Sequence, residues 1–156
     1  MRSLLVALLF SLMFPLGAAA QDFGPLDGTW EGTLSWASGP GLAPYEGDRR
    51  QKWSWRIRIS GRDAQVFFVS GGNAEESKPG EYQVVRLRTN AVVVSVDSGK
   101  DDDGTWVETS SFTLTQKDRN TVIAVWTRQV NNNNVPLSNE HSKFTVVAVG
   151  ELKRAR

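Results

Sequence analysis

The stretch Leu26-Asp27-Gly28-Thr29-Trp30-Glu31-Gly32-Thr33-Leu34-Ser35-Trp36 decides the fold of this chain. Its large apolar residues Leu26, Trp30, Leu34 and Trp36 share one face, while acidic and hydroxyl residues share the other. This alternation has the period of two that is typical of a half-buried β-strand. The segment therefore predicts a first strand whose apolar face packs on a core.

Residues 1–20 have the features of a secretory signal peptide. A positive charge at Arg2 precedes an apolar run over 4–14, and the small residues that follow fit cleavage after Ala20. The run is too short to span a membrane. The sequence therefore predicts a periplasmic or secreted protein with a single domain over 21–156.

Charge and cysteine content limit the function classes. Removal of Arg2 with the leader reduces the 18 basic side chains to 17, which equals the 17 acidic ones. A net charge of zero argues against nucleic acid or an anionic membrane as partner. The chain has no cysteine, so stability must come from packing, for which six tryptophans are available.

The chain after the leader shows no helical periodicity. Turn-rich segments separate eight strand-like runs, at 26–36, 51–60, 64–70, 82–88, 91–97, 105–116, 121–130 and 143–152. Tight turns alternate with long connections, as in an up-and-down meander, and the long ones cover 37–50, 71–81, 98–104 and 131–142. The four long loops are therefore expected at one end.

Three tight turns predict how neighbouring strands pair, since directly opposite residues lie on the same face of a sheet. Two-residue turns are predicted at Gly61-Arg62 and Thr89-Asn90, and a three-residue loop over 118–120 with Asn120 left-handed. The predicted pairs are Trp55 with Phe68, Ile57 with Val66, Leu87 with Val92, Val85 with Val94, Phe112 with Trp126 and Ser110 with Arg128.

Eight meandering strands with one apolar face must hide that face from water. Closure into a single eight-stranded antiparallel up-and-down β-barrel hides it and removes the sheet edges. A two-sheet sandwich with the same meander is the alternative. The short regular hairpins favour the all-β barrel.

The triplet Gly28-Thr29-Trp30, on the first of eight strands, resembles the G-x-W motif of the lipocalin and calycin superfamily. The long connection over 37–50 resembles the loop that partly covers a lipocalin mouth. The resemblance implies a lipocalin-like barrel whose short-loop end is plugged by Trp30. It also implies a basic residue packed over that ring, from among Lys153, Arg154 and Arg156.

Aromatic residues cluster on the predicted inner face near the long-loop end. They are Trp36, Trp53, Trp55, Phe68 and Trp106. Such a cluster suits an apolar cup for a small ligand. The alternative is a solid core, because side chains alone can fill an eight-stranded barrel.

Glu108, Ser110 and Arg128 interrupt the same inner face. Glu108 and Arg128 are expected diagonally across a strand pair, within reach of each other. Arg128 is suited to hold a carboxylate or another anion through its planar fork. The alternative is a structural ion pair at a wet barrel rim.

Other polar motifs predict no chemistry. The run Asp101-Asp102-Asp103-Gly104 lacks the ligand spacing of a calcium loop, and His141 is the only histidine. No metal, cofactor or enzymatic activity is therefore predicted. Two hypotheses remain: an exported barrel that binds a small apolar or amphipathic molecule at its open end, or a packed barrel that contacts another envelope protein through its long loops.

Overall fold

A computed structural model describes residues 25–37, 52–70, 73–101, 104–133 and 143–156. The predicted signal peptide, His141 and most of the connections over 37–50 and 131–142 lie outside the described residues. The described part of the chain forms nine strands: β1 (Gly28–Trp36), β2 (Lys52–Ser60), β3 (Asp63–Ser70), β4 (Asn73–Glu76), β5 (Tyr82–Leu87), β6 (Asn90–Asp101), β7 (Gly104–Asp118), β8 (Thr121–Asn132) and β9 (Lys143–Arg154).

Eight of these strands close into an antiparallel up-and-down barrel. Consecutive strands pair from β5 to β9, β9 pairs with β1, and β1 to β3 pair in order. A short pairing of β3 with β5 completes the ring. The predicted barrel is therefore confirmed, and the two-sheet sandwich is wrong.

The strand β4 is the ninth, and it lies within the segment 71–81 that the sequence predicts as a loop. It pairs with the second half of β3, while β5 pairs with β3 only through Asp63–Gln83 and Ala64–Tyr82. β4 and β5 are thus two halves of one strand, interrupted by a turn in which Gly80 has a φ of 78°. The sequence Asn-Ala-Glu-Glu of β4 has no apolar alternation, so its backbone pairing leaves no hydropathy signal.

The predicted long loop over 98–104 is also mostly strand. β6 continues to Asp101 and β7 begins at Gly104, with Gly99 paired opposite Trp106. Glycine and aspartate are depleted in strands, and this is why the segment is typical of a loop by composition. Cross-strand pairing along a long hairpin overrides that preference.

The first predicted hairpin has the predicted register. Trp55 lies opposite Phe68, and Ile57 lies opposite Val66. Gly61 has a φ of 60°, as the first residue of a type II′ turn requires. The turn chemistry and the apolar pattern therefore agree.

The hairpin of β7 and β8 has the predicted pairs but not the predicted turn. Two residues rather than three connect the strands, and Asn120 is not left-handed. Its N–H donates to Asp118 Oδ1 at 2.8 Å, which tightens the turn. A bulge at Lys117 takes up the extra residue, so Phe112 still lies opposite Trp126.

The predicted pairing of β5 with β6 is wrong by two residues. Val85 lies opposite Val92 rather than Val94, and the neighbouring pair shifts likewise. The turn begins one residue earlier than predicted, at Arg88, which has a φ of 55°. Val85 is 65% exposed, whereas Val84 is buried. Valines on both faces of this hairpin conceal which face points inward.

Inward-facing residues of the barrel strands form one core. Its largest fully buried side chains are Trp30, Phe112, Leu34, Ile57, Ile59, Leu114 and Leu152. Full burial of a large apolar side chain contributes about 1.5–3 kcal/mol. These residues supply the stability that a chain without disulfides needs.

Trp30 fills the closed end of the barrel, where the three tight turns lie. Its ring is 0% exposed, and its Nε1–H donates to the carbonyl of Leu26 at 2.8 Å. Arg154 lies over the ring, with its guanidinium carbon 4.3 Å from the ring centroid. The same guanidinium donates to the carbonyls of Pro25, Asp27 and Arg119. Arg154 therefore joins the last strand to the segment that precedes the first.

Asp27 extends the polar contacts at this end. Arg86 donates two hydrogen bonds to its carboxylate, at 2.7 and 2.8 Å, and the Gly61 N–H donates a third. The bonds from Arg86, and then the bond from Gly61, lower the pKa of Asp27 from 3.8 to about 2. The ionised carboxylate therefore stabilises the fold.

We expect this contribution to disappear in acid. Because the folded pKa of Asp27 lies below its unfolded value, the stabilisation is present above about pH 4 and is lost as the pH falls towards 2. The side chain is 45% exposed, so screening reduces the effect to about 1 kcal/mol. Urea titrations of the parent and Asp27→Asn should differ at pH 6 and converge near pH 2. A difference that stays constant with pH would contradict this role.

Candidate functional site

Five aromatic side chains form a layer inside the barrel near the end where β1 stops and β2 begins, which we call the mouth. This layer, the aromatic floor, consists of Trp36, Trp53, Trp55, Phe68 and Trp126. The centroids of Trp36 and Trp53 are 4.4 Å apart, those of Trp53 and Phe68 4.6 Å, and those of Trp55 and Trp126 5.1 Å. Edge-to-face and tilted contacts at such distances are favoured between aromatic rings.

Ala148 on β9 allows rings from non-adjacent strands to meet. It lies opposite Trp36 on one side and opposite Trp126 on the other. Its methyl group is too small to separate them, and the two ring centroids are 5.7 Å apart. Across its other strand neighbour, β7, Trp126 lies opposite Phe112. Phe112 is fully buried and packs under the floor.

The aromatic floor is closed below and partly open above. Trp55 is 7% exposed and Trp126 4%. Trp36, Trp53 and Phe68 are only partly buried and pack against the core from the mouth side. Within the described residues, the barrel is therefore filled up to the floor, and the upper surface of the floor is the part available to a ligand.

Ser110 lies at the level of the floor, where it is 6% exposed. Its Oγ accepts a hydrogen bond from Trp126 Nε1 at 2.9 Å and lies 3.3 Å from the hydroxyl of Tyr82. Ser110 thus fixes the orientation of the Trp126 indole.

Glu108 and Arg128 form an ion pair directly above the floor. Each is the next inward residue towards the mouth, after Ser110 and Trp126 respectively. Arg128 Nε donates to Glu108 Oε1 at 2.9 Å, and Nη2 donates to Oε2 at 2.7 Å. The side chain of Arg128 is 43% exposed and that of Glu108 is 23% exposed, so the pair is accessible to solvent.

Trp106 stands apart from the floor. Its indole packs on Gly99, its partner on β6, where a Cβ atom would come within 2.5 Å of the ring. Among the described residues, no ring contact joins Trp106 to the five aromatic residues of the floor. The structure thus brings together four of the five predicted aromatic residues and places Trp106 on the wall of the mouth.

Acidic residues near the mouth do not assemble into a metal site within the described ranges. Asp97 lies opposite Glu108, but its carboxylate accepts the N–H of Ser98 at 2.8 Å. Two residues of the acidic run 101–104, and His141, lie outside the part of the chain that the structure describes.

Sequence reasoning did not include Trp126 and Tyr82 among the candidate site residues. The signal for Trp126 was present, because the predicted register places it opposite Phe112 on the inward face. Tyr82 had no such signal, since the face of β5 that points inward was not recognisable from its valines.

The described residues contain no helix that is long and apolar enough to cross a membrane. Comparison of the chain with family models, with curated proteins and with solved structures finds no match. The aromatic floor and the ion pair above it are therefore the basis for a functional assignment.

Proposed function

We propose that this protein is an exported binding protein that holds a small amphipathic molecule at the mouth of the barrel. The observation that carries the proposal is the position of the Glu108–Arg128 pair directly above a partly exposed aromatic floor. The floor offers flat apolar surface, and the pair offers oriented polar groups beside it, among them the Arg128 guanidinium. Pockets with apolar walls and a few placed polar groups are typical of small-molecule sites.

The apolar part of the ligand is proposed to rest on Trp36, Trp53 and Phe68. These rings are held by their neighbours, so they lose little entropy when a ligand covers them. Because the barrel is filled below the floor, the site suits a flat molecule or the end of a chain. A long chain running down the barrel axis does not fit.

The polar head of the ligand is proposed to be anionic and to contact Arg128. Glu108 occupies Nε and Nη2 of the guanidinium, and among the described residues no acceptor is bonded to Nη1. A carboxylate or similar anion could therefore accept from Nη1.

Native mass spectrometry of the protein purified from its own compartment tests the proposal first, since a retained ligand adds its mass. Tryptophan emission and melting temperature, followed across a panel of fatty acids and neutral amphiphiles, test it in solution. If no member of the panel changes either quantity and no ligand is retained, the binding proposal falls. Contact with another envelope protein, through loops outside the described residues, is then the better hypothesis.

We expect Arg128→Leu to weaken anionic ligands selectively. Loss of a hydrogen bond to a charged group corresponds to about 1.5–3 kcal/mol, or about 10- to 150-fold in Kd. Neutral ligands of the same shape should bind nearly unchanged. The matched control is Glu108→Gln, which retains the guanidinium and should bind anionic ligands at least as tightly as the parent. Equal weakening of anionic and neutral ligands by Arg128→Leu would place the polar head elsewhere.

A further inference from the structure

The two-residue turns at the closed end of the barrel each carry one arginine. Arg62 lies in the turn between β2 and β3, Arg88 in the turn between β5 and β6, and Arg119 in the turn between β7 and β8. All three residues are exposed. Because these turns lie at the same end of an up-and-down barrel, they face the same direction. The closed end therefore presents three arginines together.

Basic residues outnumber acidic ones around these turns. The closed end comprises the turns, the three strand residues on either side of each turn, and the segments 25–28 and 151–156. Its basic residues are Arg58, Arg62, Arg86, Arg88, Lys117, Arg119, Lys153, Arg154 and Arg156, and its acidic residues are Asp27, Asp63, Asp118 and Glu151. The rest of 21–156 carries eight basic and thirteen acidic side chains. The zero net charge of the chain without its predicted leader thus conceals a positive end.

Two of the four acidic residues are neutralised by basic residues outside the turns. Asp27 is bonded to Arg86, and Glu151 is paired with two lysines. The other two acidic residues of this end are Asp63 and Asp118. Within the described ranges, no ion pair involves the five exposed arginines of the closed end, which are Arg58, Arg62, Arg88, Arg119 and Arg156. A positive excess therefore remains for a partner.

Arg88 holds a backbone conformation that suits other residues better. Its φ of 55° is the one positive φ of a non-glycine residue in the part of the chain that the structure describes. A side chain with a Cβ atom is strained there, and glycine or asparagine is preferred at such turn positions. Strain of this kind points to a role for the residue that bears it. For Arg88, that role is the exposed charge.

We propose that the closed end rests on the surface of an anionic lipid bilayer. A bilayer surface is flat and uniformly charged, so it can contact all three turn arginines at once. Such a surface also orients a molecule that has one positive end, because it attracts that end and repels the more acidic remainder. Membrane contact at the closed end leaves the mouth, and the ligand proposed there, facing away from the lipid.

A nucleic acid fits this end less well. Proteins that bind single strands stack the bases on exposed aromatic side chains. Trp30 is 0% exposed beneath Arg154, and the closed end as defined above contains no aromatic residue among those described. The leader predicted over 1–20 also directs the chain to a membrane and across it.

Cosedimentation with vesicles tests the proposal. The parent is expected to bind vesicles of equimolar phosphatidylglycerol and phosphatidylcholine, and not vesicles of phosphatidylcholine alone. Added salt should weaken the binding, because it screens exposed charges. Absence of binding, or equal binding to the two lipid compositions, would overturn the proposal. Protein that ignores both vesicles but binds heparin or duplex DNA would assign the closed end to a soluble polyanion instead.

Replacement of the turn arginines by glutamine measures their share of the binding. Each arginine near an anionic surface contributes about fivefold, so a triple variant at positions 62, 88 and 119 should bind about a hundredfold more weakly. The matched control removes the same charge from exposed lysines outside the closed end, by Lys78→Gln, Lys100→Gln and Lys143→Gln. The control should lose far less binding. Equal losses in the two triple variants would show that net charge alone drives binding, against the proposal.

Arg88→Asn separates the charge from the stability of the fold. Asparagine tolerates the left-handed conformation, so this variant should melt at least as high as the parent. It should nevertheless bind the anionic vesicles about fivefold more weakly. Weaker binding by a protein of undiminished stability cannot come from unfolding. Unchanged binding by Arg88→Asn would contradict contact at the turns.

Discussion

Replacement of Trp30 by alanine is expected to lower the free energy of unfolding by about 3–5 kcal/mol, as for other large-to-small changes in a core. The ring is fully buried at the closed end, and its Nε1–H is bonded to Leu26. Its loss also removes the surface on which Arg154 rests. A domain of this size is stable by only about 5–15 kcal/mol, so the variant should be markedly destabilised.

Urea titration of the parent and Trp30→Ala measures this loss. Trp30→Phe is the matched variant, because it keeps an aromatic ring beneath Arg154 while removing the bond to Leu26. A double-mutant cycle with Arg154→Leu isolates the contact between ring and guanidinium, for which about 0.5–2 kcal/mol is expected. A loss below about 1 kcal/mol in Trp30→Ala would place the ring among ordinary surface positions, against the structure.

The closed end was predictable from the sequence because several local signals agree there. Alternation over 26–36, the glycine at position 61 and the apolar partners of Ile57 each predict the same pairing. Where local signals agree, the fold follows from them. The choice of Arg154 among three basic residues was not predictable, since it depends on the backbone carbonyls that surround its guanidinium.

The region around β4 and β5 was less predictable, for two physical reasons. β4 has the sequence Asn-Ala-Glu-Glu, without apolar alternation, so its backbone hydrogen bonds define it as a strand. Valines occupy both faces of the β5–β6 hairpin, so a slip of two residues still places valine opposite valine. The inward face there is set by the pairing of Ala64 with Tyr82, a long-range contact without a local signal.

The mouth was predictable in its residues but not in their packing. The predicted register places Trp55 and Phe68 on one face, and Glu108 diagonal to Arg128. Whether those rings line a cup or stack on one another depends on Ala148, a small residue on β9, the strand between those of Trp36 and Trp126. Trp126 uses the space that Ala148 leaves, and this space decides how deep a ligand can reach.

Trp126→Ala is therefore expected to change both stability and the shape of the mouth. The Trp126 ring contacts Trp36, Trp53, Trp55 and Phe112, and its Nε1–H bonds to Ser110. Loss of these contacts should lower the free energy of unfolding by about 3–5 kcal/mol. Trp126→Phe is the matched control, because it keeps a ring in the floor and loses only part of its volume and the bond to Ser110.

The space left by Trp126→Ala should bind a free aromatic molecule, because apolar cavities in a rigid core accept apolar guests. Added indole should raise the melting temperature of Trp126→Ala more than that of the parent, because a ligand that binds only the folded state stabilises it and the variant has the cavity as an additional site. Equal stabilisation of both proteins would mean that indole binds above the floor in each and does not enter the cavity. If indole stabilises neither the parent nor Trp126→Ala, the neighbouring rings collapse into the gap. The floor would then be too adaptable to act as the rigid surface on which the proposed ligand rests.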